Sequence, residues 1–192
     1  MLSFIRPAVV MIALFTLVTG AAYPLAITGV AQAGLPTLAN GDIISNGGAA
    51  VGSSLVGQLF TSDKYFHGRP STAGANGYDA SASSGSNLGP TSKKLLDRVV
   101  ADVATLLQAG VEGIPSDAVT ASASGLDPHI SPAFAAVQVT RIATARGLEA
   151  DAVRSLLKRH TSAPLVGIFG EPRVNVLELN LALDGEFKPR AK

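Results

Sequence analysis

The chain of 192 residues contains no cysteine. That excludes disulfide frameworks, thiolate metal sites and a cysteine nucleophile. It suits a domain outside the cytoplasmic membrane of a bacterium, where an unpaired thiol is a liability. Charge is sparse: 15 Lys and Arg stand against 14 Asp and Glu, for a net charge of +1. The nearest approach to a basic cluster is Arg154, Lys158, Arg159 and His160 on a short expected helix. Nucleic-acid binding calls for a basic stripe with interleaved aromatics, and the sequence has none.

Between Arg6 and Asp42 there is no charged residue at all, and residues 7–30 are almost wholly apolar. A helix rises about 1.5 Å per residue, so ~24 residues reach roughly 36 Å. The hydrocarbon layer of a bilayer is about 30 Å thick, so this segment is expected to cross it with some tilt. Ala31-Gln32-Ala33 fits the small-residue pattern of a signal-peptidase site. Against cleavage, the apolar run is longer than the 7–15 residues of a signal-peptide core, and a retained anchor is expected. Arg6 precedes the span, and beyond it no Lys or Arg occurs before Lys64. The positive-inside tendency then puts the N-terminus in the cytoplasm and the rest outside. Gly20, Tyr23 and Pro24 are tolerable in a span where a neighbouring helix covers the kink. Thr16, Thr19 and Gly20 are small or weakly polar, as helix contacts in lipid require. The plainer alternative is a lone anchor with incidental small residues.

The organisation expected is a cytoplasmic N-terminus (1–6), a transmembrane helix (7–30), a linker (31–50) and one exoplasmic domain of mixed α/β (α+β) class (51–192). Residues 54–60 read as a strand, residues 65–70 as an extended or turn segment before proline, and residues 71–90 as a long surface loop. Thr91 or Ser92 caps a helix to about Ala109 with a buried face of Leu95, Leu96, Val99, Val100, Val103, Leu106 and Leu107. Residues 118–123 read as a strand. Ser131 and Pro132 open a helix that Gly147 closes, and another helix covers about 149–159. Residues 165–169 are a strand candidate. Residues 174–183 alternate like a strand, but Asn175 with Glu178 forms a capping pattern, which favours a helix.

Several chemistries lack their motifs. There is no G-x-x-x-x-G-K-[ST] loop, no G-x-G-x-x-G, no phosphorylation signature of P-type pumps and no potassium-filter sequence. Ser155-Leu156-Leu157-Lys158 fits S-x-x-K, but its companion motifs are missing. His67, His129 and His160 are far apart and offer no metal-ligand spacing. Asp127-Pro128-His129 fits either an acid–imidazole pair or a turn in which Asp bonds its own backbone. An anchored exoplasmic hydrolase is therefore an alternative without a good nucleophile. A pilin-like subunit lacks its early acidic residue.

Five blocks then stand in order: residues 19–25, residues 57–60 with 65–71, residues 84–91, residues 120–131 and residues 170–177. Together they resemble the C-subunit family of bacterial Kdp potassium-transporting ATPases, from the anchor nearly to the C-terminus. The resemblance implies a small non-catalytic subunit of an inner-membrane complex, with a potassium-channel-like subunit and a P-type ATPase subunit as partners. It also implies a role as catalytic chaperone that raises the ATPase subunit's affinity for ATP. ATP enters through the complex, since no cofactor motif is recognisable here.

On that footing the membrane segment's packing residues are Thr16, Thr19, Gly20, Tyr23 and Pro24. Tyr65, Phe66, Arg69 and Pro70 are candidates for partner contact, being types enriched at interface hot spots, or else they fill the domain's own core. Ser86, Asn87, Gly89 and Pro90 form a shaped loop ahead of a helix, or a plain capped turn. Asp127, His129, Gln138, Arg141, Glu171 and Arg173 are further candidates, as are Gln58 and Asn175 within the blocks. Glu171 and Arg173 are close enough in sequence to pair.

Overall fold

The computed structural model describes residues 2–46, 48–164, 167 and 169–187. Two compact units divide near Ile43 and Ile44.

In the first unit, one continuous helix runs over Ser3–Gly34 with none of its most apolar window buried. It consists of α1 (Leu2–Leu17), a π-helical turn at Val18–Ala22 and α2 (Tyr23–Gly34). At 32 residues it extends about 48 Å, beyond both ends of the expected span. Pro24 falls at the first turn of α2, where the π turn admits it without ending the helix. The expected linker begins with order. A helical turn, α3 (Pro36–Ala39), follows at once, and the side-chain amides of Gln32 and Asn40 bond each other reciprocally at 3.1 Å.

The second unit opens on a two-stranded ladder, β1 (Ile43–Asn46) with β2 (Ala49–Ser53). No strand forms at the expected 54–60; the strands lie upstream, largely in the stretch expected as linker. Ser53 Oγ accepts from Leu55 N–H at 3.1 Å, a serine turn that ends the extended run. Helix α4 (Lys93–Gln108) starts at Ser92, whose hydroxyl faces Leu95 N–H. Only part of its apolar arc is covered. Val99, Val103 and Leu106 pack on the core, while Leu96, Val100 and Leu107 are exposed, contrary to the expected buried face.

No strand forms at 118–123. A 3-10 turn at Ser116–Ala118 is followed by loop, because Thr120 Oγ1 bonds back to Ser116 O at 2.8 Å. Strand β3 (His129–Ile130), α5 (Pro132–Arg146), α6 (Ala150–Arg159), β4 (Thr161–Ser162), β5 (Arg173–Asn175) and α7 (Val176–Glu186) complete the unit. The antiparallel sheet has the order β3-β5-β4, with His129 opposite Asn175 and Thr161 opposite Val174. Ser131 caps α5 by accepting from Phe134 N–H at 2.9 Å, and Gly147 closes it at φ 64°. Residues 174–183 prove to be both things. Val174 and Asn175 end a strand, and Asn175 then caps the helix by accepting from Glu178 N–H at 3.1 Å. The strand candidate at 165–169 includes Leu165, Val166 and Ile168, which lie outside the described residues.

The core sits where α5, α6 and α7 meet the sheet. Val139, Ile142, Val153, Leu156, Val174, Leu179 and Leu183 are fully buried there. Phe66 joins them from a distant loop with no exposed surface.

Candidate partner-binding surface

The segment 63–69 crosses α5 and α7 without strand partners of its own, so its peptide groups need other ones. Two buried amides supply them. Asn180 Oδ1 accepts from Phe66 N–H at 2.8 Å, and its Nδ2 donates to Phe66 O at 3.0 Å. Gln138 treats His67 the same way, at 2.8 and 3.1 Å. Arginines hold the rest. Arg141 donates to Asp63 O and Tyr65 O at 2.7 and 3.0 Å, and Arg146 donates to Lys64 O at 2.7 Å. Arg146 also pairs with Asp184 at 2.7 Å and lies 4.9 Å over the Tyr65 ring, whose hydroxyl donates to Asp184. A strap thus seats Phe66 in the core by side-chain bonds from two helices. Sequence reading missed Asn180, Arg146 and Asp184; a lone Asn between Leu179 and Leu181 was the available signal.

Arg69 continues the strap into a second network. It bonds Asp127 at 3.1 Å and both the carbonyl and the hydroxyl of Thr120 at 3.3 Å. The carbonyl of Arg69 accepts from the Tyr78 hydroxyl at 2.7 Å. The long loop 71–90 is pinned here. Ser71 Oγ donates to Gly125 O at 2.6 Å and accepts from Tyr78 N–H at 2.8 Å, and Ser84 N–H reaches Ser124 O at 2.9 Å. Gly125 has φ 67°, and a Cβ there would lie 2.6 Å from Ser84 O and 2.8 Å from Ala73 N. Only glycine permits two loops to approach so closely. The loop is therefore packed, with Ala73 buried beneath it.

These contacts assign the sequence candidates different places. Phe66 is core. Tyr65, Arg69, Gln138 and Arg141 bind the strap and its neighbours. Asn175 donates to Ser54 O at 2.8 Å, and the Gln58 amide lies where a Cβ on Gly52 would fall. Asp127 Oδ1 accepts from His129 N–H at 3.0 Å, the turn rather than the catalytic reading of that motif. His129 Nδ1 is 3.8 Å from the same carboxylate. Ser131, beside them, donates to Asp117 at 3.0 Å, so its proton goes to a carboxylate and not to an imidazole. Glu171 and Arg173 are exposed, and among the described residues no ion pair joins them. Asn87, at φ 51°, Gly89 and Pro90 are exposed ahead of α4, with Ser86 half-buried. Charge reversal at Arg69 would set two carboxylates together in this network and so act on the fold first.

Arg69 separates two open clefts. One, of about 340 Å³, is lined by Leu59, Phe60, His67, Asn76, Leu106 and Phe134. The other, of about 360 Å³, is lined by Asp117, Asp127, His129, Glu171 and Arg173. Burial lowers the pKa of His67, with the Arg141 charge adding to it, and burial also lowers that of His129. Burial, then the Asp127 charge, pushes Tyr78 up to about 12, so it remains a proton donor to Arg69 O. Among the described residues no three His, Asp or Glu side chains gather to hold a metal ion. Several apolar side chains stay in the open: on α4, Leu96, Val100 and Leu107 are each more than half exposed, as are Leu59 and Phe169 elsewhere.

An apolar helix long enough to cross a membrane, followed by a mixed domain of helices and short strands whose polar residues hold its own loops, defines the class of protein. The chain belongs to the KdpC family, described as the K+-transporting ATPase c chain, whose profile matches residues 5–185. It is 55% identical to a potassium-transporting ATPase KdpC subunit of Caulobacter vibrioides, over 100% of this chain and 98% of that one. The KdpC subunit of Gemmatimonas aurantiaca is 56% identical over 96% and 94% of the two chains. That of Koribacter versatilis is 55% identical over 93% and 92%.

Proposed function

We propose that this chain stabilises the assembly of the channel-like and P-type ATPase subunits of a Kdp potassium-transporting complex, working as its membrane-anchored, non-catalytic subunit. Membership of the KdpC family over nearly the whole length carries this reading. The physical features agree with it: one spanning helix for docking in lipid, and a domain that holds its own strap and loops rigid for docking outside it. A rigid surface loses little entropy on binding, so its contacts convert efficiently into affinity.

The finer reading concerns ATP. With the N-terminus inside, the domain lies on the face opposite the nucleotide. Any effect on ATP affinity is then allosteric: the domain binds one conformation of its partners better, and linkage raises the affinity for whatever that conformation binds. The chain has no cysteine, so single cysteines at exposed Asn87 and Ser155 report topology cleanly. A membrane-impermeant thiol reagent is expected to label both in intact spheroplasts. Protection of both until the membrane is opened would place the domain inside and overturn the allosteric route.

A further inference from the structure

Helix α4 is lightly held: none of its 16 residues is buried, although Val99, Val103 and Leu106 touch the core. Asp102, Thr105 and Leu106, which share one face of the helix, form a wall of the cleft of about 340 Å³. The strap, the segment 76–78 and Phe134 complete it. That volume lies at the lower end of the range for small-molecule sites. Leu59, Phe60, Leu106 and Phe134 make much of the lining apolar. Its charges are unequal. Arg69 is matched by Asp127 at 3.1 Å. His67 adds no charge at neutral pH, because burial holds its pKa below the ordinary imidazole value. Asp102 is poorly matched. Its cation, Arg98, stands one helical turn back at 4.0 Å, too far for a hydrogen bond, and Arg98 Nε is itself buried without an acceptor. Among the described residues no donor reaches the Asp102 carboxylate. Beside it, Thr105 Oγ1 donates to Ala101 O and so has only acceptor capacity left.

We infer that the cleft between α4 and residues 67–78 binds a small organic cation, a primary ammonium on an aromatic stem, with Asp102 taking the ammonium and Phe60 and Phe134 flanking the stem. Complementarity selects this class. A carboxylate forms a charge-assisted hydrogen bond with an ammonium, and aromatic rings attract a cation further. An anion would meet Asp102. A bare metal ion would leave the apolar lining unused, and among the described residues no three ligands gather to hold one. A stem seated in the cleft covers the inner wall of α4, so binding and the order of this helix are linked. The inference concerns the second unit alone and stands apart from the accessory role.

The test titrates the full-length chain in mild detergent with 2-phenylethylammonium, followed by calorimetry against a detergent blank. Saturable binding is expected, with phenylacetate, the same ring carrying the opposite charge, about tenfold weaker or more. Asp102→Asn is expected to weaken binding of the amine about ten- to a hundredfold, the range for a hydrogen bond to a charged group. Phe60→Leu, which keeps the apolar wall but removes a ring, is expected to weaken it about two- to fivefold. Asp97→Asn, on the same helix but outside the cleft, is expected to change nothing. Unfolding midpoints of the three variants without ligand show that each is folded. Equal affinity for phenylacetate, equal losses in Asp97→Asn and Asp102→Asn, or no saturable binding up to about 10 mM amine overturns the inference. Amide hydrogen exchange gives a readout that needs no variant. Saturation with the amine is expected to slow exchange along residues 99–108. Unchanged exchange there, or protection confined to another part of the second unit, places the ligand outside the cleft and overturns the inference. Each of these outcomes leaves the accessory role standing.

Discussion

Asn180 shows how one polar side chain fixes a fold from within. It is 2% exposed, between Leu179 and the helix face that carries Leu183, yet both its amide groups are used on Phe66. Replacing it by Ala leaves a buried N–H and a buried C=O unpaired at once. Asn180→Ala should cost about 2–4 kcal/mol, from the unsatisfied groups alone. Denaturant unfolding of the full chain in mild detergent measures this, with Ser155→Ala on an exposed helix face as a control near zero. An equal midpoint for Asn180→Ala and the unaltered chain would mean that the strap does not depend on this amide. Such residues are hard to find in a sequence. The partners of Gln138 and Asn180 lie 71 and 114 positions away, and no local pattern announces them.

Among the elements, legibility followed local chemistry. The helices α5 and α6 stood out because Ser131, Pro132 and Gly147 act on their own neighbours. The apolar length of the first helix exposed the membrane segment, though not its full extent or its π turn. The short strands stayed hidden. At two or three residues, β3, β4 and β5 have no periodicity to read, and their pairing is set by tertiary packing. Residues 174–183 read as ambiguous because the chain changes from strand to helix at Asn175, and α7 is buried on most of its faces. Asn175 serves both elements, capping α7 and bonding Ser54 O. Asn175→Ala is expected to cost about 1–2 kcal/mol, the worth of a lost cap, and to fray the first turn of α7. Amide hydrogen exchange at Glu178 checks it: faster exchange there than in the rest of α7 is expected, and unchanged protection would show that the cap is dispensable. The candidate contact residues were legible as blocks but not as roles. Aromatic and arginine side chains look alike whether they face a partner or, as with Phe66 and Arg141, their own chain.

For the whole molecule, two consequences follow. The first concerns pH. His67 and His129 are both held below the ordinary imidazole value, chiefly by burial, so the folded chain binds protons less readily than the unfolded one. Stability is then full above about pH 6.5 and falls as pH drops below it. His67→Gln, which removes one of the two groups, should flatten that fall. Unfolding midpoints between pH 7.5 and 5 check the slope, and a rise in stability on acidification through this window would reverse the assignment. The second consequence is division of labour. The first unit is long and apolar enough to cross a membrane and the second holds its own polar residues in place, a division that the proposed accessory role calls for.

The most direct test is purification of the channel-like and ATPase subunits from membranes that lack this chain, in mild detergent. The account predicts that the two separate, and that they stay together when the full-length chain is restored but not when residues 44–192 are supplied without the helix. Recovery of an intact complex with undiminished ATP-driven potassium uptake in the chain's absence would contradict it.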